Sequence, residues 1–142
     1  MILQRIVTVE KPLEKVFAYL ADFTTTTEWD PGTVRTVRTS GDGEFGTEYQ
    51  NTSTFAGRQT ELTYVVVDLV PNRHISLRAE NKTVIANDTM TFRESGGNTE
   101  VTYTADFTFK GIARLVAPFM TSAFTRLGDE AEVGMSAALA RL

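Results

Sequence analysis

The stretch that most restricts how this chain can fold is its C-terminal run, Gly111 to Leu142. Ile112, Val116, Phe119, Ala123, Leu127, Ala131, Ala138 and Leu142 recur every three or four positions, and Met120, Phe124, Met135 and Leu139 widen the stripe. Arg114, Thr121, Thr125, Asp129, Glu132 and Ser136 keep the same period on the opposite face. The spacing predicts one long amphipathic helix with a side that must be buried. At about 1.5 Å per residue it reaches roughly 45 Å, longer than a small domain is wide. Pro118 interrupts it, because a proline loses a helical hydrogen bond and crowds the preceding turn; a kink is expected, or a short helix ending near Ala117 and a fresh start at Pro118. Gly128 and Gly134 each weaken a helix by about 1 kcal/mol relative to alanine. Gly134 lies on the apolar stripe, which predicts close backbone packing there.

What precedes the run must supply its partner. Ile2 to Glu10 is β-branched and reads as a strand ended by Lys11-Pro12. Pro12 suits a helix start, and Leu13, Val16, Phe17, Leu20 and Phe23 mark one face of a short helix to about Asp22. Thr24 to Thr27 break it, and a second short helix reaches Trp29 before the turn Asp30-Pro31-Gly32. Six strands then follow: Val34 to Thr39, Thr47 to Phe55, Arg58 to Val70, His74 to Asn81, Thr83 to Glu94 and Thr99 to Lys110. Their links (Ser40 to Gly43, Ala56-Gly57, Pro71 to Arg73, Ser95 to Asn98) are short and rich in turn residues, so neighbouring strands are antiparallel.

The plan is α+β, a seven-stranded antiparallel sheet with one long helix and two short ones. Seven strands about 4.8 Å apart make a sheet roughly 30 Å wide, whereas a helix is only about 10 to 12 Å across. The sheet must therefore curve around the helix, and the space left over is either filled by large side chains or remains a pocket. The chain has 142 residues, 42% of them hydrophobic, which fits a single domain, residues 1–142.

Composition narrows the chemistry. The net charge is −4 and no basic run tracks a phosphate backbone, so nucleic acid is not an expected partner. With no cysteine and one histidine, disulfides, cysteine nucleophiles and thiolate or multi-histidine metal sites are excluded, and no metal is expected. No window approaches 18 apolar residues and no leader pattern opens the chain, so a soluble cytoplasmic protein is expected. Phosphate loops, dinucleotide glycine patterns and Gly-x-Ser-x-Gly are missing, and no cofactor is expected.

Period-two alternation sorts the interior. Val101, Tyr103, Ala105, Phe107 and Phe109 share a face, as do Val84, Ala86, Asp88, Met90 and Phe92. Asp88 is the anomaly, since a carboxylate among apolar neighbours costs several kcal/mol unless paired or hydrated. Two readings are open: a β-bulge or an arginine partner makes it ordinary, or it is a ligand contact or general base. Tyr49, Asn51, Ser53 and Phe55 form a mixed aromatic and polar set of the kind that lines ligand cavities. Between Arg58 and Val70 the alternation is too weak to choose a face. His74 reads as a surface residue. Trp29 either pins the helical pair to the sheet or lines the pocket mouth, and both readings bury it.

Glu10 to Phe23, followed by Glu28-Trp29-Asp30-Pro31-Gly32 and then Gly46-Thr47, resembles the polyketide cyclase/dehydrase branch of the START and Bet v 1-like (SRPBCC) superfamily, with its helix-grip fold. The resemblance implies a deep, mostly apolar cavity between sheet and C-terminal helix for lipids, sterols, polyketides or similar molecules. Some relatives catalyse aldol-type cyclisation and dehydration, and many only bind or transport. Val16, Phe17, Trp29, Asp30, Pro31 and Gly32 match as structural or cavity-mouth positions, and no catalytic set carries over.

The first functional expectation is therefore binding or transport of a hydrophobic small molecule. Met90, Tyr103, Phe107, Phe119, Met120, Phe124 and Trp29 would supply apolar contact, and Tyr49, Asn51, Ser53 and Asp88 would orient polar ends. The second is a cyclase or dehydratase with Asp88 as base and Tyr103 or Tyr49 as donor. A third is a protein-interaction module, recognisable by an exposed apolar patch. The segment around Pro118 is expected to be the movable border of the cavity.

Overall fold

A computed structural model describes residues 1–142. Strand β1 (Ile2–Val9) is followed by helix α1 (Leu13–Ala21), a 3-10 turn (Phe23–Thr25) and the single-turn helix α2 (Thr26–Trp29). Then come β2 (Thr33–Ser40), β3 (Glu48–Phe55), β4 (Arg58–Val70), β5 (His74–Glu80), β6 (Val84–Ser95) and β7 (Asn98–Phe109). Every strand lies within a residue or two of its predicted bounds. All pairings are antiparallel in the order β1-β7-β6-β5-β4-β3-β2, a six-strand meander with β1 added beside its last member.

The C-terminal run breaks where the proline predicted. Helix α3 (Ile112–Val116) ends in a 3-10 turn (Ala117–Met120) that contains Pro118, and α4 (Thr121–Ala140) resumes three residues later than expected. The two parts differ in anchoring. No residue from Ile112 to Met120 is buried, whereas α4 buries Phe124, Gly128, Ala131, Met135, Ala138 and Leu139.

The core draws on six of the seven strands, all but β2: Val7, Tyr49, Tyr64, Val66, Ile75, Leu77, Met90 and Val101 pack with Met135 and Leu139 of α4. Helix α1 plugs one end with Val16, Phe17 and Leu20, Phe17 meeting Phe92 edge-on at 5.0 Å. The ambiguous alternation of β4 has a simple cause. A bulge between Val66 and Asp68 shifts its phase, so Leu62, Tyr64 and Val66 face inward before it and Leu69 packs on the core after it. His74 is a half-exposed residue whose Nε2 lies 2.6 Å from Asp68 Oδ2.

Two glycines set the distance of α4 from its neighbours. A Cβ on Gly134 would overlap the carbonyl oxygen of Trp29, so α2 and α4 touch backbone to backbone. A Cβ on Gly128 would lie 2.8 Å from Arg5 Nη2, because that guanidinium lies flat against the helix. Arg5 then ties β1 to α4 through Asp129 Oδ1 at 2.9 Å and the carbonyl of Thr125 at 3.2 Å. Replacing Gly134 with alanine improves helix propensity by about 1 kcal/mol, but the steric displacement costs about 1–3 kcal/mol or more. Gly134→Ala is expected to lower stability in chemical denaturation and to shift Trp29 fluorescence; unchanged stability with unchanged emission would contradict the close approach.

Candidate functional site

Sheet and helix enclose a cavity of about 230 Å³. Its lining includes Leu3, Arg5 and Val7 of β1 and Thr33 of β2, the two edge strands at opposite ends of the sheet order, together with Phe124, Leu127, Ala131 and Met135 of α4. One cavity can touch both edges only if the sheet curves around the helix, as the width argument required. Of its 30 lining residues 17 are hydrophobic, which makes the wall largely apolar. The exposed lining residues Thr54, Thr60 and Thr83, with Ala113 of α3 beside them, mark the mouth.

Near the mouth, Phe124 reaches down from α4 into an aromatic cluster. Its ring centroid lies 4.5 Å from Phe55, 5.5 Å from Phe107 and 5.4 Å from Phe109. Among the polar groups, a relay secures one wall. Thr26 Oγ1 donates to the Phe23 carbonyl and accepts from Thr36 Oγ1 at 2.6 Å. Thr36 in turn accepts from Asn51 Nδ2 at 2.9 Å, and Ser53 Oγ donates to Asn51 Oδ1 at 2.6 Å. Asn51 and Ser53 line the cavity with these groups already bonded, as expected of a buried network that is satisfied internally.

Asp88 is different. The register of β6 runs unbroken against both β5 and β7, so no bulge turns the side chain outward, and no arginine pairs with it. The carboxylate is 4% exposed; Oδ2 accepts a 2.8 Å hydrogen bond from the Tyr103 hydroxyl, and Oδ1 has no partner. The other buried polar atom without a partner is Trp29 Nε1, also on a lining residue. The Trp29 and Tyr103 rings meet edge to face at 5.5 Å. Trp29 therefore joins α2 to α4 through its backbone and lines the cavity through its ring.

Burial raises the Asp88 pKa from 3.8 to about 7; the Tyr103 hydrogen bond opposes the rise and the nearby Asp30 charge adds to it. Burial also raises Asp30, against the restraining hydrogen bonds from Gly32 N and Thr33 Oγ1. Tyr64 and Tyr103 are raised well above the ordinary phenol value, first by burial and then by the Asp88 and Asp30 charges.

The structure thus brings together seven of the expected site residues: Trp29, Asn51, Ser53, Asp88, Tyr103, Phe107 and Phe124. The other four stand elsewhere. Tyr49 is buried but packs on Phe23, ring centroids 6.0 Å apart, outside the lining. Met90 is wholly buried in the core and does not reach the lining. Phe119 is 87% exposed and Met120 is half-buried off the cavity, because the 3-10 turn at Pro118 advances about three residues per turn and throws both off the apolar phase of α4. Sequence reasoning missed Arg5 and Tyr64 as lining residues. Tyr64 is hidden by the β4 bulge, and Asp30, a turn residue in the sequence pattern and a structural or cavity-mouth position by the family resemblance, lines the cavity.

A seven-stranded antiparallel sheet held around a long C-terminal helix, with two short helices after the first strand, is the helix-grip fold of START/Bet v 1-like proteins. The chain belongs to the family described as "Polyketide cyclase / dehydrase and lipid transport", which it matches over residues 3–142. The Zhui aromatase/cyclase from Streptomyces sp. R1128 has a similar structure, with a TM-score of 0.83 at 18% identity, covering 99% of this chain and 94% of that one. TTHA0849 from Thermus thermophilus is similar at TM-score 0.81 and 11% identity, covering 98% and 97%. A START superfamily protein from Mycobacterium smegmatis gives 0.72 at 12% identity, covering 99% and 97%. No curated protein sequence matches the chain.

The raised Asp88 pKa has a consequence for folding. Between pH 4 and 7 the folded state holds a proton on Asp88 that the unfolded state has released, so the contribution of this group to stability is fully present below the ordinary carboxylate range and is lost as pH rises through about 7. A tenfold difference in proton affinity between the two states corresponds to about 1.4 kcal/mol. Asp88→Asn should therefore stabilise the protein at pH 8 by roughly 2–4 kcal/mol more than it does at pH 4, as read by chemical denaturation. Equal effects at both pH values would mean that the carboxylate is hydrated or paired in solution.

Proposed function

We propose that the protein binds a compact, largely apolar small molecule in this cavity, with residues 1–142 acting as one binding domain. The observation that carries the reading is the cavity itself, apolar over most of its wall and lined by the two residues that carry unsatisfied buried polar atoms, Trp29 with Nε1 and Asp88 with Oδ1. Its 230 Å³ sits just below the range of about 300–1,000 Å³ typical of ligand pockets. That size suits a one- or two-ring molecule better than a whole sterol or a long acyl chain. Apolar burial against Phe55, Phe107, Phe109 and Phe124 supplies affinity at about 25 cal/mol per Å², and the polar atoms set orientation. The family description, which includes lipid transport, supports the same reading. Helix α3 and the 3-10 turn, which bury nothing, form the border that yields when a ligand passes.

A second reading has its own support in Asp88, a buried carboxylate poised near neutral pH, and in the likeness to an aromatase/cyclase. In it Asp88 removes a proton next to a carbonyl, and the developing oxyanion needs a donor. Tyr103 already donates its hydroxyl hydrogen bond to Asp88, and Tyr49 is outside the cavity. The unpartnered Trp29 N–H takes the donor role instead. On any substrate the protein turns over, Asp88→Asn is expected to lower kcat by at least about a hundredfold; unchanged turnover would remove Asp88 from the chemistry.

Binding is tested by filling the void. Ala105 is buried, lines the cavity and lies between Tyr103 and Phe107 on β7. 6-Propionyl-2-(dimethylamino)naphthalene, a two-ring fluorescent probe, should bind saturably at one site, and Ala105→Phe should weaken it by at least about tenfold, or ~1.4 kcal/mol, in a variant that still melts cooperatively. A probe that does not bind, or binds equally well to the filled variant, would count against an internal site.

A further inference from the structure

Resting on that binding reading, we infer that the cavity is built for a hydrophobic amine: a small apolar body carrying a protonated nitrogen that pairs with the Asp88 carboxylate. The charges on the wall are one-sided. Asp30, Asp88 and Glu132 are carboxylates and Arg5 is the one cation among the lining residues. Four of the five Arg5 N–H donors are committed: Nε and Nη2 to Asp129 Oδ1, Nη2 also to the Thr125 carbonyl, and Nη1 to the Gln4 carbonyl, with Glu132 Oε1 a further 3.7 Å contact. With the Arg5 charge already paired to Asp129 and close to Glu132, an acidic ligand would meet an excess of negative charge in a low-dielectric space. Fatty acids and carboxylated polyketide chains are therefore the wrong ligands for this wall.

A wholly apolar ligand is also unsuited, because it would leave Asp88 Oδ1 buried with no donor at all. The missing complement is a donor, and the two carboxylates on Asp30 and Asp88 favour one that brings positive charge. Asp30 is the less demanding of the two, since Oδ1 already accepts from Gly32 N at 3.0 Å and Oδ2 from Thr33 Oγ1 at 2.9 Å, and it contributes chiefly field. The rings of Trp29, Tyr64 and Tyr103 line the same region and favour a cation over an anion. Trp29 Nε1 keeps its proton for an oxygen elsewhere on the natural ligand.

The test uses one skeleton with three head groups: 4-phenylbutylamine, 4-phenylbutanol and 4-phenylbutyrate. Trp29 is the only tryptophan and lines the cavity, so its emission, excited where the phenyl ring is transparent, reports occupancy. At pH 8 the amine should bind about tenfold more tightly than the alcohol, the margin of a charge-assisted over a neutral hydrogen bond, and the butyrate should not saturate. In Asp88→Asn the amine-to-alcohol ratio should fall to about one. In the unaltered protein it should also fall between pH 8 and pH 5 as Asp88 takes up a proton, in a surrounding made by Asp30 from the α2–β2 turn, Tyr64 of β4, Tyr103 of β7, Arg5 of β1 and Glu132 of α4. The pH comparison stands even if the variant fails to fold. Alcohol or butyrate binding at pH 8 as tight as the amine, a preference that survives Asp88→Asn, or one that is flat with pH would overturn the inference while leaving the binding reading intact. Binding of none of the three would overturn both.

Discussion

One helix cannot cover the inner face of seven strands, and most of what is distinctive in this molecule follows from how that mismatch is resolved. The sheet curves until both of its edges approach α4, and α4 is then held off the sheet by contacts made elsewhere along its length. Gly134 lets its backbone rest on the carbonyl of Trp29, and Gly128 lets Arg5 lie against it. With the helix fixed at these points, the space beyond is decided by side-chain size. At the α1 end, Phe17, Leu20, Phe92 and Leu139 fill it. Toward the other end the lining includes Gly32, Ala105, Ala113, Gly128 and Ala131, residues too small to meet across it, and a cavity remains.

That cavity holds a local violation of the rules that the rest of the core obeys. Thr26, Thr36, Asn51 and Ser53 show that the chain satisfies buried polar groups when they serve the fold alone. Asp88 and Trp29 each retain an unsatisfied atom, and Asp88 does so as a carboxylate in an apolar wall. Such a group lowers stability at neutral pH, and its cost is offset when a ligand supplies the missing donor. Consistency broken at one place inside a hollow is the pattern of a functional site rather than of a core.

The fold could be read almost completely from the sequence, because the strand periods, the turn residues and Pro118 are local signals and the sheet-to-helix width ratio is a matter of arithmetic. The site could be read in part. Asp88 stood out as a polar residue on an apolar face, but its status depended on whether β6 keeps its register, which only the pairing with β5 and β7 fixes. Tyr64 was lost to a bulge a few residues away, because an inserted residue reverses period two without leaving a mark in composition. Phe119 and Met120 failed for the related reason that a 3-10 turn changes the helical phase, and a stripe drawn at 3.6 residues per turn carries across a break it should not cross. Arg5 sits on a strand whose outward positions are mostly exposed, and its role depends on a glycine far along the chain, Gly128.

Whether Asp88 is an isolated, unsatisfied carboxylate in solution decides the ligand reading. Its carboxyl carbon, assigned in a 13C-labelled protein by comparison with Asp88→Asn and followed through a pH titration, reports this directly. A midpoint near 7, well above the ordinary aspartate range, is the predicted result. A midpoint near 4 would show that water or a partner satisfies the group, and the cavity would then lack the feature on which its ligand reading depends.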